Sequence, residues 1–483
     1  MASIVVVGAG AGGLVGAGYL RAAGHDVLLL EAKARVGGCA SRFTVGEFTF
    51  LAGATTVIGL EPTMPLGRVL AELGVTIDAA PLSPALTAWH HGEPLVFSTD
   101  AEANARALTL RYGAALGRFS TACVAIAERA WRLIGSAPFP PEGVSDLARL
   151  GTTPTAWASL PHLLTTTEAL LARCGEPTAD ARALVDELLV ISTQATARDC
   201  PALFGAIGIE YLQRPLFAPR GGLAGLLEAL GEALVQEGVD LRTEVTVERV
   251  EELSPGFRVH TSRGVFAADA VLLDLTHWDA ARLVDGPTRA AFERQAARHP
   301  RGPGAIGMYL GVEDVFDDVT PYHQIVLDEP LAGTHARSLF VTLSPRDDPE
   351  FAPIGQRALT ISGHVDADMV AALSDTAHQE LKGTLERGIR EALHRVFPRL
   401  ASARELVAMT ATPRTWERYT GRARGRVGGL PFTFDTLLHG YPTGFTKNPR
   451  LARVGDTVFP GQSVVAVAWG ARRVAGALTR ALR

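Results

Sequence analysis

The run Ile4-Val5-Val6-Val7-Gly8-Ala9-Gly10-Ala11-Gly12-Gly13 decides how the chain begins to fold. Four consecutive β-branched residues read as a parallel strand buried on both faces. The glycines that follow have the G-x-G-x-x-G spacing at Gly8, Gly10 and Gly13, with Gly12 between. Gly8 permits a tight turn, Gly10 lets the backbone approach a pyrophosphate, and Gly13 allows close helix–strand packing. Leu14 to Ala23 reads as a small-residue helix that breaks at Gly24, and Val27 to Leu30 as a second strand ending at Glu31. The free N–H groups and positive end of such a helix receive phosphates. Glu31, 18 residues after Gly13, stands where a carboxylate binds the ribose hydroxyls of an adenosine. It also disfavours a 2′-phosphate there. The alternative is a glycine-rich loop with no ligand.

Glu31 leads into Ala32-Lys33-Ala34-Arg35-Val36-Gly37-Gly38-Cys39-Ala40-Ser41-Arg42. This resembles the second glycine pair of glutathione-reductase-like flavoproteins. The resemblance implies that Ala32, Lys33, Gly37, Gly38 and Ser41 join the cofactor site. A strand ending at Gly455-Asp456 and a helix starting near Gly461 form a second βα turn at the other end of the chain. The resemblance implies that Asp456 accepts from the ribityl chain. The helix N-terminus after Gly461, including Val465, is placed to face the flavin edge that gains charge on reduction. Leu241 to Val250 alternates as a strand, Phe257–Thr261 and Val265–Ala267 read as a hairpin, and residues 269–274 as a further strand. In flavoproteins of this group the backbone of the residue matching Val247 contacts adenine.

These segments, with residues 48–55, 218–223 and 412–422 followed by Gly428-Gly429, resemble the FAD-dependent carotenoid desaturase, carotenoid isomerase and retinol saturase group. The resemblance spans the chain and is weak in the middle. It implies a two-dinucleotide-binding-domain α/β flavoprotein with an inserted antiparallel sheet and a helical substrate part. It further implies non-covalent FAD and a long apolar polyene, a carotenoid or similar, desaturated by hydride transfer to flavin N5. The sequence Phe50-Leu51-Ala52-Gly53 departs from the phytoene desaturase pattern, and Gly428-Gly429 is closer to later enzymes. Both favour a C-3′,4′ end-group desaturase. The alternatives are cis–trans isomerisation or saturation with reduced flavin, an amine oxidase, and a flavin-free lipid carrier of the Rab-escort type. No cysteine follows Cys200, which excludes a covalent flavin at a C-terminal cysteine.

Composition narrows the rest. The 483 residues are 47% hydrophobic and 20% charged, with net charge −5. That excludes wholesale disorder and argues against nucleic acid as a partner. Four dispersed cysteines give neither a disulfide scaffold nor a zinc ribbon, and HExxH is absent, so no metal is expected. The start reads as having no signal peptide and no apolar run long enough to span a bilayer. A cytoplasmic protein is expected, with a peripheral position on the inner membrane face as an option.

The expected layout is an FAD-binding domain from residues 1–75, 206–290 and 411–483. A substrate domain would take 76–205 and 291–410. Helices are expected over Ala101–Ile134, Thr155–Cys174 and Asp375–Val396, and antiparallel strands at 306–312, 324–327, 339–343 and 358–363. Aromatics at Trp416, Tyr419, Phe432, Phe434, Tyr441 and Phe445 either line a polyene site or pack between elements. Asp199, next to Arg198 and Cys200, reads either as a charged group of the substrate region or as one half of a surface ion pair, and no catalytic residue is singled out.

Overall fold

The computed structural model describes residues 1–136, 144–317, 320–346 and 348–483. Parts of the substrate stretches, residues 137–143, 318–319 and 347, lie outside the described residues. A five-stranded parallel sheet holds, in order, Asp240–Arg242, Asp26–Leu30, Ser3–Val7, Ala270–Asp274 and Leu451–Val454. Its central strand pairs Val5 with Leu28 on one side and Val271 on the other. Ile4, Val6, Val271 and Leu272 are buried, as an all-apolar central strand requires. The helix Ala11–Ala22 packs on this sheet beside the closing helix Val464–Ala481. A four-stranded sheet of 264–268, 257–261, 247–252 and 284–285 lies nearby.

The second large sheet has seven strands. Their order is Glu405–Ala411, Pro303–Glu313, Gln356–Asp366, Ser338–Leu343, Tyr322–Val326, Leu86–His90, Glu93–Phe97. Side chains alternate between its two faces. Met308, Leu310, Ile361, Leu359, Val341 and Leu339 lie on one face, under the amphipathic helix Asp375–Val396, whose Leu385, Ile389 and Leu393 complete that core. Tyr309, Thr342, Thr360, Ser362 and His364 alternate with them and take the other face. Helices between Ala101 and Tyr211 pack together, and their buried residues share one apolar core with the parallel sheet.

Several expectations need correction. Leu241–Val250 is not one strand: the chain leaves the parallel sheet after Arg242, passes Glu244 at φ +56°, and enters a different sheet at Val247. Gly113, at φ +93°, splits the expected 101–134 helix into Ala101–Tyr112 and Ala114–Ser136. The expected 155–174 helix is two, Pro154–Leu163 and Thr167–Arg173. The sheet is mixed, because Leu86–Ile325 neighbours run parallel (Leu86 opposite Tyr322), and strands 86–97 were not anticipated. The closing helix begins at Val464, with Ser463 as its cap, and not near Gly461. No described helix is long and apolar enough to cross a membrane.

Candidate cofactor and substrate site

The glycine turn sits on the carboxyl ends of the parallel strands, where open α/β sheets bind ligands. A Cβ on Gly13 would lie 1.9 Å from the Gly8 carbonyl, and one on Gly10 would lie 2.5 Å from Asp274 Oδ2. Side chains are therefore excluded, and backbone forms the surface. Gly10 caps the helix without a side-chain bond, and no acid stands in the first turn. These are the conditions for receiving an anion. Gly12 reaches Gly455, since its Cβ would be 3.1 Å from the Gly455 nitrogen. The two chain ends thus meet in one cradle.

Glu31 is buried and holds the turn: Oε2 accepts from Ala9 N–H at 2.8 Å, and Oε1 from Lys33 N–H at 2.9 Å. The side chains of Ala32 and Lys33 are exposed. Gly37 donates to the Ala9 carbonyl at 2.8 Å and bridges Gly10, and Gly38 lies against the Gly10 Cα. Ser41 closes the short helical turn Gly38–Ala40 by donating its N–H to Gly38. Val247 starts its strand beside this group, but the residues bonded to Glu31 and Lys33 are Arg242, Val245 and Glu244. Asp456 Oδ2 accepts from Arg422 Nη1 at 2.6 Å, so one of its oxygens is already engaged. Gly461 lies in the loop before the closing helix. The Val465 side chain is buried in the core, which leaves only its backbone N–H, in the helix's first turn, for a ligand.

Two charged residues here were missed from sequence. Asp274 ends an apolar strand directly beneath the glycine turn. Burial pushes its carboxyl up to about 6, against the Gly13 N–H and Arg422, which favour the charged form. Burial opposes the charge of Arg422, but Asp456 and Cys39 outweigh it and raise its pKa. Asp274 ends the apolar run Val271-Leu272-Leu273, and its neighbours in space are the glycines.

The large sheet grips residues 51–55. Tyr309 donates to the Ala52 carbonyl at 2.5 Å, Thr360 to Leu51 at 3.4 Å, and Thr342 to Thr55 Oγ1 at 2.8 Å. Gly53 is wedged between Trp416 and the Cys39 carbonyl, so this segment touches the cradle. On its other side lies a cavity of about 640 Å³, lined by Leu51, Thr55, Trp89, Phe217, Tyr322 and Phe351 among others. That volume suits a small molecule. His364 shares the sheet face of Tyr309 and Thr360, and burial lowers its pKa to about 4, so it is neutral at pH 7. Of the aromatics, Phe204, Phe432 and Tyr441 stack on one another as packing, Tyr419 is exposed, and Trp416 alone meets Gly53. Asp199 accepts a hydrogen bond from Thr196.

Residues 11–425 match the model of the flavin-containing amine oxidoreductases. The chain belongs to that family. FAD is accordingly its cofactor, and the side-chain-free cradle above fits a dinucleotide. The chain is 25% identical to a prolycopene isomerase of Daucus carota, over 98% of this chain and 80% of that protein. It is 24% identical to a carotenoid 3,4-desaturase of Haloarcula japonica, over 74% and 75% respectively. A solved oxidoreductase from Methanosarcina mazei has the same fold, with TM-score 0.65 and 18% identity over 98% of this chain and 99% of that one. The resemblance to carotenoid desaturases and isomerases read from the sequence is shared by these relatives, and the chain is an FAD-dependent oxidoreductase.

Proposed function

We propose that this flavoprotein acts on a long apolar polyene of the carotenoid type, by desaturation. The observation that carries the reading is the cavity, which abuts the same residue segment that touches the cofactor cradle. In this reading residues 1–75, 206–290 and 411–483 bind FAD, and 76–205 and 291–410 hold substrate. Gly10 and Gly12 bring backbone up to the pyrophosphate, Gly8 and Gly13 shape the turn beneath it, and Gly37, Gly38 and Ser41 wrap its side. Glu31, with the nearby backbone of Ala32, Lys33 and Val247, receives the adenosine. Gly455, Asp456, Gly461 and Val465 receive the flavin end. Bound FAD supplies a two-electron acceptor for a C–H bond.

The protein contributes position and dryness. Leu51, Phe217 and Phe351 exclude water from an apolar chain by burial. Trp89 and Tyr322 add flat surfaces against which a conjugated chain packs. Arg422 holds Asp456 in place. His364 lies on the sheet face of Tyr309 and Thr360 and is held neutral at pH 7 by burial.

Isomerisation is the second reading, favoured by the prolycopene isomerase match over 98% of the chain. The two separate under anaerobic conditions. Desaturation predicts that a carotenoid bleaches the oxidised flavin. Isomerisation predicts no bleaching by carotenoid, but conversion of one geometric isomer into another once the flavin is pre-reduced. Rapid bleaching by an aliphatic amine, with neither carotenoid effect, would overturn both.

A further inference from the structure

Far from the glycine cradle, His90, His91 and Asp180 each bring one ligand atom within 4.8 Å of the others. His90 ends the strand Leu86–His90, His91 opens the turn into Glu93–Phe97, and Asp180 stands in the first turn of the helix Ala179–Thr193. We propose that this cluster binds a late first-row divalent metal, zinc being the reference case, and clamps the end of the large sheet to the helical block.

Two imidazoles and a carboxylate are the donors such ions prefer, and alkaline-earth ions prefer all-oxygen sets. Bonds of about 2.0–2.1 Å in tetrahedral geometry put donors about 3.3 Å apart. His91 Nε2 already lies 3.4 Å from Asp180 Oδ1. The other donor separations, within 4.8 Å, must close by side-chain rotation.

The surroundings are arranged in the way a metal's supporting residues are. His91 Nδ1 lies 2.7 Å from Asp328 Oδ1, and His90 Nδ1 lies 3.1 Å from the Tyr112 hydroxyl. Each ring therefore has its Nδ1 tied to an oxygen, and His91 Nε2 faces Asp180 Oδ1. That is the pattern by which partners fix a ligating histidine's tautomer and orientation. The two rings stack at 4.1 Å, so holding one ion requires one imidazole to turn out of the stack. His91 stacks from φ +53°, at a hairpin position where Asn, Asp or Gly is favoured. Asp180 and Asp328 supply negative charge. Arg395 pairs with the other Asp328 oxygen at 2.9 Å, and Arg111 donates to the His90 carbonyl at 2.7 Å.

The position gives the clamp a consequence. Thr87 and Trp89, on the same strand as His90, line the cavity, as do Pro94 and Val96 on the next. A bound ion would fix that wall against the helix carrying Asp180. The donors come from segments about 90 residues apart, with no local metal motif.

The test uses the full chain, stripped with chelator and then given one equivalent of Co²⁺ or Zn²⁺. The expected result is one metal retained per chain after desalting, with the intense visible bands of four-coordinate Co²⁺ and a rise in thermal midpoint on adding Zn²⁺. The variants His91→Ala and Asp180→Asn, both at exposed positions, should lose the bands and the shift while unfolding normally without metal. No retention by the unaltered chain would overturn the proposal. So would equal retention and an equal spectrum in His91→Ala.

Discussion

Replacing Asp274 by Asn tests the electrostatics of the cradle. The carboxyl sits where side chains on Gly10, Gly12 and Gly455 would lie, at 2.5, 2.7 and 2.9 Å from its oxygens. Burial, the largest cause, raises its pKa from 3.8 to about 6. In that window the folded state binds more protons than the unfolded chain, so stability falls as pH rises from about 4 to about 6. Above pH 6 the whole penalty is present. The rise corresponds to about 3 kcal/mol at 1.36 kcal/mol per pKa unit. Asparagine keeps an oxygen for the Gly13 N–H and carries no charge. FAD-free Asp274→Asn should therefore exceed the unaltered protein in stability by up to about 3 kcal/mol at pH 7.5, with the difference shrinking toward pH 4. Urea unfolding at a series of pH values measures this. FAD brings phosphate charge to the same turn, so the variant should also bind FAD at least as tightly at pH 7.5. A stability difference that does not vary with pH, or one that grows on acidification, would refute the reasoning.

Other substitutions separate cofactor binding from substrate binding. Gly13→Ala puts a methyl 1.9 Å from the Gly8 carbonyl, so the protein should purify colourless or fail to fold, as absorbance and circular dichroism would show. Arg422→Gln leaves Asp456 without its cation; it should cost about 2 kcal/mol, below the fully buried range, and lower FAD retention, read by thermal melting and flavin content. Val96→Trp, at a half-exposed position on the cavity wall, should reduce kcat/KM tenfold or more with FAD content unchanged. His364, whose pKa burial lowers to about 4, should impose no step on the activity profile between pH 6 and 8, as a pH series of initial rates would show.

What the sequence made legible is what local pattern encodes. The strand–glycine–helix unit, the acid at Glu31, the hairpin 257–268 and the helix Asp375–Val396 all follow from residues close in the chain. The misses have non-local causes. Glu244 breaks a well-alternating stretch because its two halves join different sheets. Leu86–His90 pairs in parallel with Tyr322–Val326, a partnership across more than 200 residues that no periodicity announces. Asp274 and His364 look ordinary in sequence. They matter because the fold puts one under the glycine turn and the other on the sheet face that grips residues 51–55.

The most direct test of the central claim is mass-resolved pigment analysis of cells that accumulate lycopene or its 1-hydroxy derivatives and express this chain. A new pigment lighter by two hydrogens, absent when Val96→Trp is expressed instead, is the predicted result. A pigment of unchanged mass and altered retention would move the reaction to isomerisation in the same site. Unchanged pigments from a yellow, folded protein would contradict the account.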